Sequence, residues 1–224
     1  ANRGAPDICI EIDGSRIWIE AIAPRHGEGV DAVPDPEPLP PGDVRVGRVP
    51  IEEIHLRITH ALRTKLEVFE RYRANNIVSA EDTAIIAIGA ARFPLTAVAG
   101  AFPRPVTAVF PIGDEQVVIN RENGEVVRQD FAYAPEIPRQ GGVNIERSAF
   151  LSDAYRPISG LIWSRASIGS IGQNRRPLTF VHNPLADRTL EEDWPAWDKE
   201  FVARVEGDSY TLSDLKDPPD DPPA

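Results

Sequence analysis

The dipeptide Asp13-Gly14 interrupts the most apolar stretch at the start of the chain, PDICIEI-DG-SRIWIEAI. Asp-Gly between two alternating apolar runs predicts a β-hairpin with a two-residue type I′ turn, because both turn positions need a positive φ. Residues 8–22 are therefore expected to be two strands in a fixed register. Ile12 faces Ser15, Glu11 faces Arg16, Ile10 faces Ile17, Cys9 faces Trp18 and Ile8 faces Ile19, and the next pair would be Asp7 with Glu20.

Side chains alternate across a strand. One face then carries Ile8, Ile10, Ile12, Ile17, Ile19 and Ala21, the expected core face. The other carries Asp7, Cys9, Glu11, Arg16, Trp18, Glu20 and Ile22. Glu11 and Arg16 are expected to neutralise each other. Asp7 and Glu20 would lie directly opposite, with Cβ atoms about 5 Å apart, where like charges repel. A hard cation such as Mg²⁺ relieves that repulsion; a shared proton is the alternative. A three-residue turn would shift the register and separate the pair. Asp7 would then be a turn or cap residue after Pro6, and Glu20 a solvated strand residue.

Downstream, residues 33–50 are a proline-rich loop. Residues 51–75 predict a long helix, with Ile51, Ile54, Ile58, Leu62, Leu66 and Phe69 spaced three and four apart. Pro50 marks its start, Glu52 and Glu53 its first turn, and Arg71 and Arg73 its end. The continuous run DTAIIAIGA suits a strand buried on both faces. Residues 106–133 are expected to be antiparallel strands with a hairpin turn at Asn123-Gly124. LIWSR (161–165) and LTFVHNP (178–184) are further strand candidates, separated by a Gly- and Ser-rich loop with a basic tip. The segment from Lys216 is an acidic, proline-rich tail expected to be disordered.

The 224 residues suffice for one large domain or two small ones. A net charge of -11 disfavours binding of long nucleic acid through bulk charge, so DNA contact would need a local site. The single cysteine, Cys9, excludes an internal disulfide or cysteine–zinc framework and suits a reducing, cytoplasmic setting. No stretch is apolar for long enough to span a bilayer, so no membrane partner is expected. The oligomeric state is left open.

Pro6-Asp7, a short hairpin, and an apolar strand ending in Glu20-Ala21-Ile22 resemble the PD-(D/E)XK, or restriction-endonuclease-like, superfamily. The long helix and the buried strand IIAIG that follow agree with it. The resemblance covers residues 5–92, and residues after it resemble an extension found in uncharacterised bacterial proteins with this core. It implies an α/β fold: a mixed sheet flanked by helices over residues 1–92, with one helix expected upstream of Ala1. A mostly antiparallel β extension or second lobe would follow over 93–215, and a tail over 216–224.

The resemblance also implies Asp7 and Glu20 as ligands of Mg²⁺ (or Mn²⁺) in a nuclease that hydrolyses DNA phosphodiesters. The superfamily's lysine, two residues past the glutamate, is here Ile22. In this superfamily the lysine can stand on a neighbouring element, and Lys65 at the edge of the helix's apolar face is the candidate third catalytic residue. Lys65 can equally be a lysine whose stem lies on the core and whose ammonium reaches water. Arg57 and Arg63 are candidates for phosphate contact. The competing reading is an inactive copy of the fold that serves as a nucleic-acid or protein interaction module. A third is a purely structural domain.

Other constellations carry less. His26 reads as a loop histidine, with a metal or supporting role as the alternative. His55 and His60, five apart, point to different sides of the helix and make no zinc pair. His182 with Ser164 lacks both a nucleophile-elbow motif and a placed acid, and His182 reads as a cap on the Asn-Pro turn. SIGSIGQ lacks the ending of a phosphate-binding loop. Trp163, Trp194 and Trp197 read as packing residues.

Overall fold

A computed structural model describes residues 4–35, 40–44, 48–93, 102–166, 177–207 and 209–217. Strands β1 (Ile8–Ile12) and β2 (Ser15–Ile22) form the expected hairpin in the expected register, from Ile12 opposite Ser15 to Ile8 opposite Ile19. Asp13 and Gly14 both have positive φ, 50° and 80°, as a type I′ turn requires. Helix α1 (Ile51–Ala74) follows, and strand β3 (Thr83–Gly89) returns parallel to β2. Asn76, at a φ of 55°, turns the chain out of the helix; asparagine tolerates that left-handed conformation at a helix end.

The sheet does not stop at β3. Strand β8 (Gly160–Ser164) pairs parallel to β3, and β9 (Leu178–His182), β10 (Lys199–Glu206) and β11 (Ser209–Asp214) extend it. The result is one mixed seven-stranded sheet in the order β1-β2-β3-β8-β9-β10-β11, so the chain is α/β. Two short ribbons stand apart: β4 (Ile112–Ile119) with β5 (Val126–Tyr133), and β6 (Glu136–Ile137) with β7 (Ile145–Glu146). Gly124, at a φ of 75°, lies in the β4–β5 turn. The Gly- and Ser-rich loop expected between β8 and β9 lies, apart from Ala166 and Pro177, outside the described residues, as does the tail beyond Asp217.

Three expectations need correction. Residues 104–109 are a short helix, α2 (Arg104–Val109), rather than strand. Pro105 in its first turn needs no amide partner there, and Val106, Ala108 and Val109 bury completely in the main core. The second correction concerns the hairpin's faces. Ile17 and Ile19 are buried, but Ile8 and Ile12 remain exposed, because β1 is an edge strand. The other face, that of Trp18 and Ile22, packs against the main core beneath α1. The third concerns Arg16. It faces Glu11 in the register, yet its Nε donates to buried Asp82 at 3.1 Å. Asp82 also accepts from Trp18 Nε1 and the Ser79 amide, so a buried carboxylate captures the arginine.

Both sheet faces are covered, but differently. One face carries α1 and α2, with Leu62, Phe69, Ile86, Ile88 and Trp163 in a single cluster. On the other, Ile17, Ile19, Ile85, Ile162 and Phe180 lie beneath Leu190, Trp194 and Trp197. Among the described residues no helix covers that second face. A segment of irregular chain does so with stacked aromatics, Trp197 lying 5.0 Å from Phe180 between ring centroids.

His55 ties α1 to α2. It is buried, and its Nε2 lies 2.9 Å from Thr107 Oγ1. Burial first, then the nearby Arg147 and Arg104 charges, depress its pKa from 6.5 to about 3. The unfolded chain therefore takes up a proton below pH 6.5 that the folded chain refuses until about pH 3. Stability is complete above the unfolded value and falls as the pH drops through it. The expected slope approaches about 1.4 kcal/mol per pH unit between roughly pH 6 and 4. Denaturant unfolding across that range should show a shallower slope for His55→Gln; equal slopes would assign the acid sensitivity elsewhere.

Candidate active site

Glu20 lies in β2, an interior strand, on the face beneath α1. Its residue is 6% exposed. Lys65 projects from α1 onto the same carboxylate, with Nζ 2.6 Å from Oε1. The lysine side chain is itself only 15% exposed. Helix periodicity explains the approach, since Lys65 lies three residues after Leu62 and four before Phe69, both fully buried. The stem runs along the apolar layer and the ammonium ends on the only acid that β2 presents there.

The second oxygen, Glu20 Oε2, is buried and has no hydrogen-bond partner among the described residues. Asp82 shows the contrast, because the fold saturates it with three donors. A carboxylate oxygen withdrawn from water and left bare is costly. It is the kind of atom that a hard cation would satisfy.

Asp7 lies one residue before the last pair of the β1–β2 ladder. It is exposed, and its Oδ2 accepts the amide N–H of Ala21 at 2.8 Å. The structure thus brings Asp7 to the backbone beside Glu20. Tyr72, two turns beyond Lys65 on α1, closes this end by donating from its hydroxyl to Ala5 O at 3.1 Å. Burial, followed by the charges of Glu20 and Asp7, raises the Tyr72 pKa, so its phenol stays neutral and a donor. Ile22, where the resemblance would have placed a lysine, packs against the main core. The donor set is two carboxylates with a lysine beside one of them. Among the described residues no cluster of three or more His, Cys, Asp or Glu gathers as a metal site.

The remaining candidates go elsewhere. Arg57 and Arg63 line a separate pocket with Tyr155. His60 is exposed on that pocket, whereas His55 is buried against α2. His26 is held in its loop, with Nδ1 2.7 Å from Asp35 Oδ1 and Nε2 2.6 Å from Arg92 O. Ser164 and His182 occupy opposite ends of the β8–β9 ladder, about 13 Å apart by strand rise, so they form no catalytic pair.

His182 does not cap the Asn-Pro turn. Asn183 does that, with Oδ1 accepting from the Leu185 amide and Nδ2 donating to Tyr155 O and Ile158 O. His182 Nε2 instead meets Glu200 Oε1 at 2.8 Å, in a pair with almost no solvent exposure. Sequence reasoning missed Glu200 because it missed β10 and β11. The signal was present in Gly207-Asp208, a turn dipeptide between two runs of strand-forming residues.

No family model matches this chain, and no curated protein or solved structure matches it either.

The Glu20–Lys65 pair makes a prediction about stability. Removing one partner of a buried ion pair strands the other charge. Lys65→Met should cost about 3 kcal/mol in denaturant unfolding. The double variant Glu20→Gln with Lys65→Met should recover more than half of that loss. Additive losses would show that the pair is not coupled.

Proposed function

We propose that this chain is a metal-dependent nuclease of the PD-(D/E)XK type, built on a restriction-endonuclease-like core. The observation that carries the reading is the Lys65 ammonium 2.6 Å from Glu20. The superfamily's site needs a cation beside its glutamate. Residue 22 supplies none, and the neighbouring helix does.

The donor chemistry fits a hard divalent cation, Mg²⁺ or Mn²⁺. Asp7 and Glu20 would hold it, the bare Oε2 of Glu20 giving one oxygen. When bound, such an ion supplies polarisation of a phosphate oxygen and a lowered pKa for water. The chain's own residues do the rest. Lys65 fixes the rotamer of Glu20 and places a positive charge where the phosphate of DNA gains negative charge during in-line attack. The Ala21 amide orients Asp7 through Oδ2. Tyr72, a neutral donor, holds the chain at Ala5 just before Asp7. The helix–sheet layer around Lys65 excludes water, which strengthens each of these charges.

The packing of Ile22 into the core favours one competing reading: an inactive copy of the same fold, serving as a nucleic-acid or protein interaction module. Calorimetric titration of Mg²⁺ and Mn²⁺, run beside DNA cleavage, separates the two. The nuclease reading expects cation binding that is lost in Asp7→Asn and in Glu20→Gln. It also expects a fall in cleavage of about 100-fold or more in Lys65→Ala. Cation binding without cleavage of single- or double-stranded DNA would leave the interaction module. No cation binding by the parent chain would remove the nuclease reading.

A further inference from the structure

A second concave site lies across α1 from Glu20. Arg63 and Lys65 are two residues apart, so on a helix they point about 160° from each other. Arg63 joins Arg57 and His60 in one wall of a cavity of about 470 Å³, and the segment carrying Arg139 and Tyr155 forms the other wall. This volume falls within the usual range of small-ligand pockets.

The charge in this cavity is unusual for a chain with a net charge of -11. Three arginines line it against one carboxylate, Glu146, which Ser148 Oγ already engages. Arg139 is fixed in place, because Asp31 accepts from its Nε at 3.3 Å and from the Gln140 amide at 2.8 Å. Among the described residues Arg63 has only a loose, exposed contact with Glu67 at 3.6 Å.

Arg57 is the telling residue. Its Nε is buried and, among the described residues, has no hydrogen-bond partner. Its guanidinium lies against Gly27, where an added Cβ would come within 2.2 Å of Nη1. Gly27, at a φ of 87°, thus leaves room for the Arg57 guanidinium. Leu56 and the Tyr155 ring add an apolar wall. Burial raises the Tyr155 pKa and keeps its hydroxyl a donor.

We propose that this cavity binds a phosphorylated small molecule of nucleotide size, its phosphate held by Arg57 and Arg63 and its apolar part against Leu56 and Tyr155. Guanidinium forks match phosphate oxygens in geometry as well as charge. A bounded cavity on an acidic chain fits a compact ligand better than a long strand, which needs a continuous basic track. The proposal is independent of the nuclease reading.

The test uses the full chain at constant ionic strength, with inorganic phosphate, AMP and a twelve-nucleotide single-stranded DNA as probes. Saturating AMP should raise the unfolding midpoint by about 5 °C relative to matched sodium chloride. AMP should also bind at least tenfold more tightly than inorganic phosphate. Arg57→Gln and Arg63→Gln should each weaken AMP at least tenfold, while Arg128→Gln on the β4–β5 ribbon leaves it unchanged. Arg63 is exposed, so its variant tests the site even if the Arg57 variant unfolds. Failure of AMP to bind, or equal binding by Arg63→Gln, overturns the proposal. So does DNA binding at least tenfold tighter than AMP and sensitive to the same two variants, which would make the cavity part of a strand-binding surface.

Discussion

Two adjacent parallel strands cannot be joined by a tight turn, and this constraint organises the molecule. β2 and β3 lie side by side and parallel, from Ile17 opposite Thr83 to Ile22 opposite Ile88. The chain must leave the end of β2, cross a sheet face and return to the start of β3. α1 makes that crossing. It covers the face that presents Trp18, Glu20 and Ile22, and any acid on that face must meet whatever α1 carries. The placement of Lys65 over Glu20 is a consequence of the crossover together with the three-and-four spacing of Leu62, Lys65 and Phe69.

The pair is a poor investment if stability is its only purpose. Removing both charges from water costs several kcal/mol per ion, roughly balanced by their attraction, and apolar residues of similar volume serve a core as well or better. Asp82 shows how this fold handles a carboxylate needed for structure: three donors surround it and link β2 to the turn before β3. Among the described residues Glu20 has one strong partner and one bare oxygen. That incomplete satisfaction, beside a second carboxylate tied to the Ala21 amide, is what a site for an incoming cation would leave open.

Features set by neighbouring residues were legible in the sequence. Asp13-Gly14 determined the hairpin register, the apolar spacing of α1 determined which residues face the sheet, and the unbroken run in β3 signalled burial on both sides. Each depends on chain geometry over a few residues. What lay beyond reach depends on distant segments. Whether Ile8 is core or edge depends on which strand pairs outside β1, and among the described residues none does. Arg16 had a local partner in Glu11 but found a better-desolvated one in Asp82, 66 residues away. For the same reason Lys65 could be named as a candidate but not placed: its orientation relative to the helix was readable, whereas the strand beneath it was not. β10 and β11 are a different case, since a turn dipeptide marked them and their charged flanks masked the pattern.

α1 also shows how a single helix can carry two charged clusters without mixing them. Its buried face must be apolar to hold the sheet, so a charge can enter only at a position where the stem packs and the tip meets an acid, as at Lys65. Its outer face has no such restriction, and there the charges gather beneath a separate segment, 139–155. The body of the helix lies between the two faces, and screening in the solvent limits coupling around the outside to about 10 Å. Glu20 therefore feels Lys65 far more than Arg63, although only two residues separate the cations in sequence. The local environment of each arginine and lysine, and not the net charge of -11, decides what anion the chain can hold.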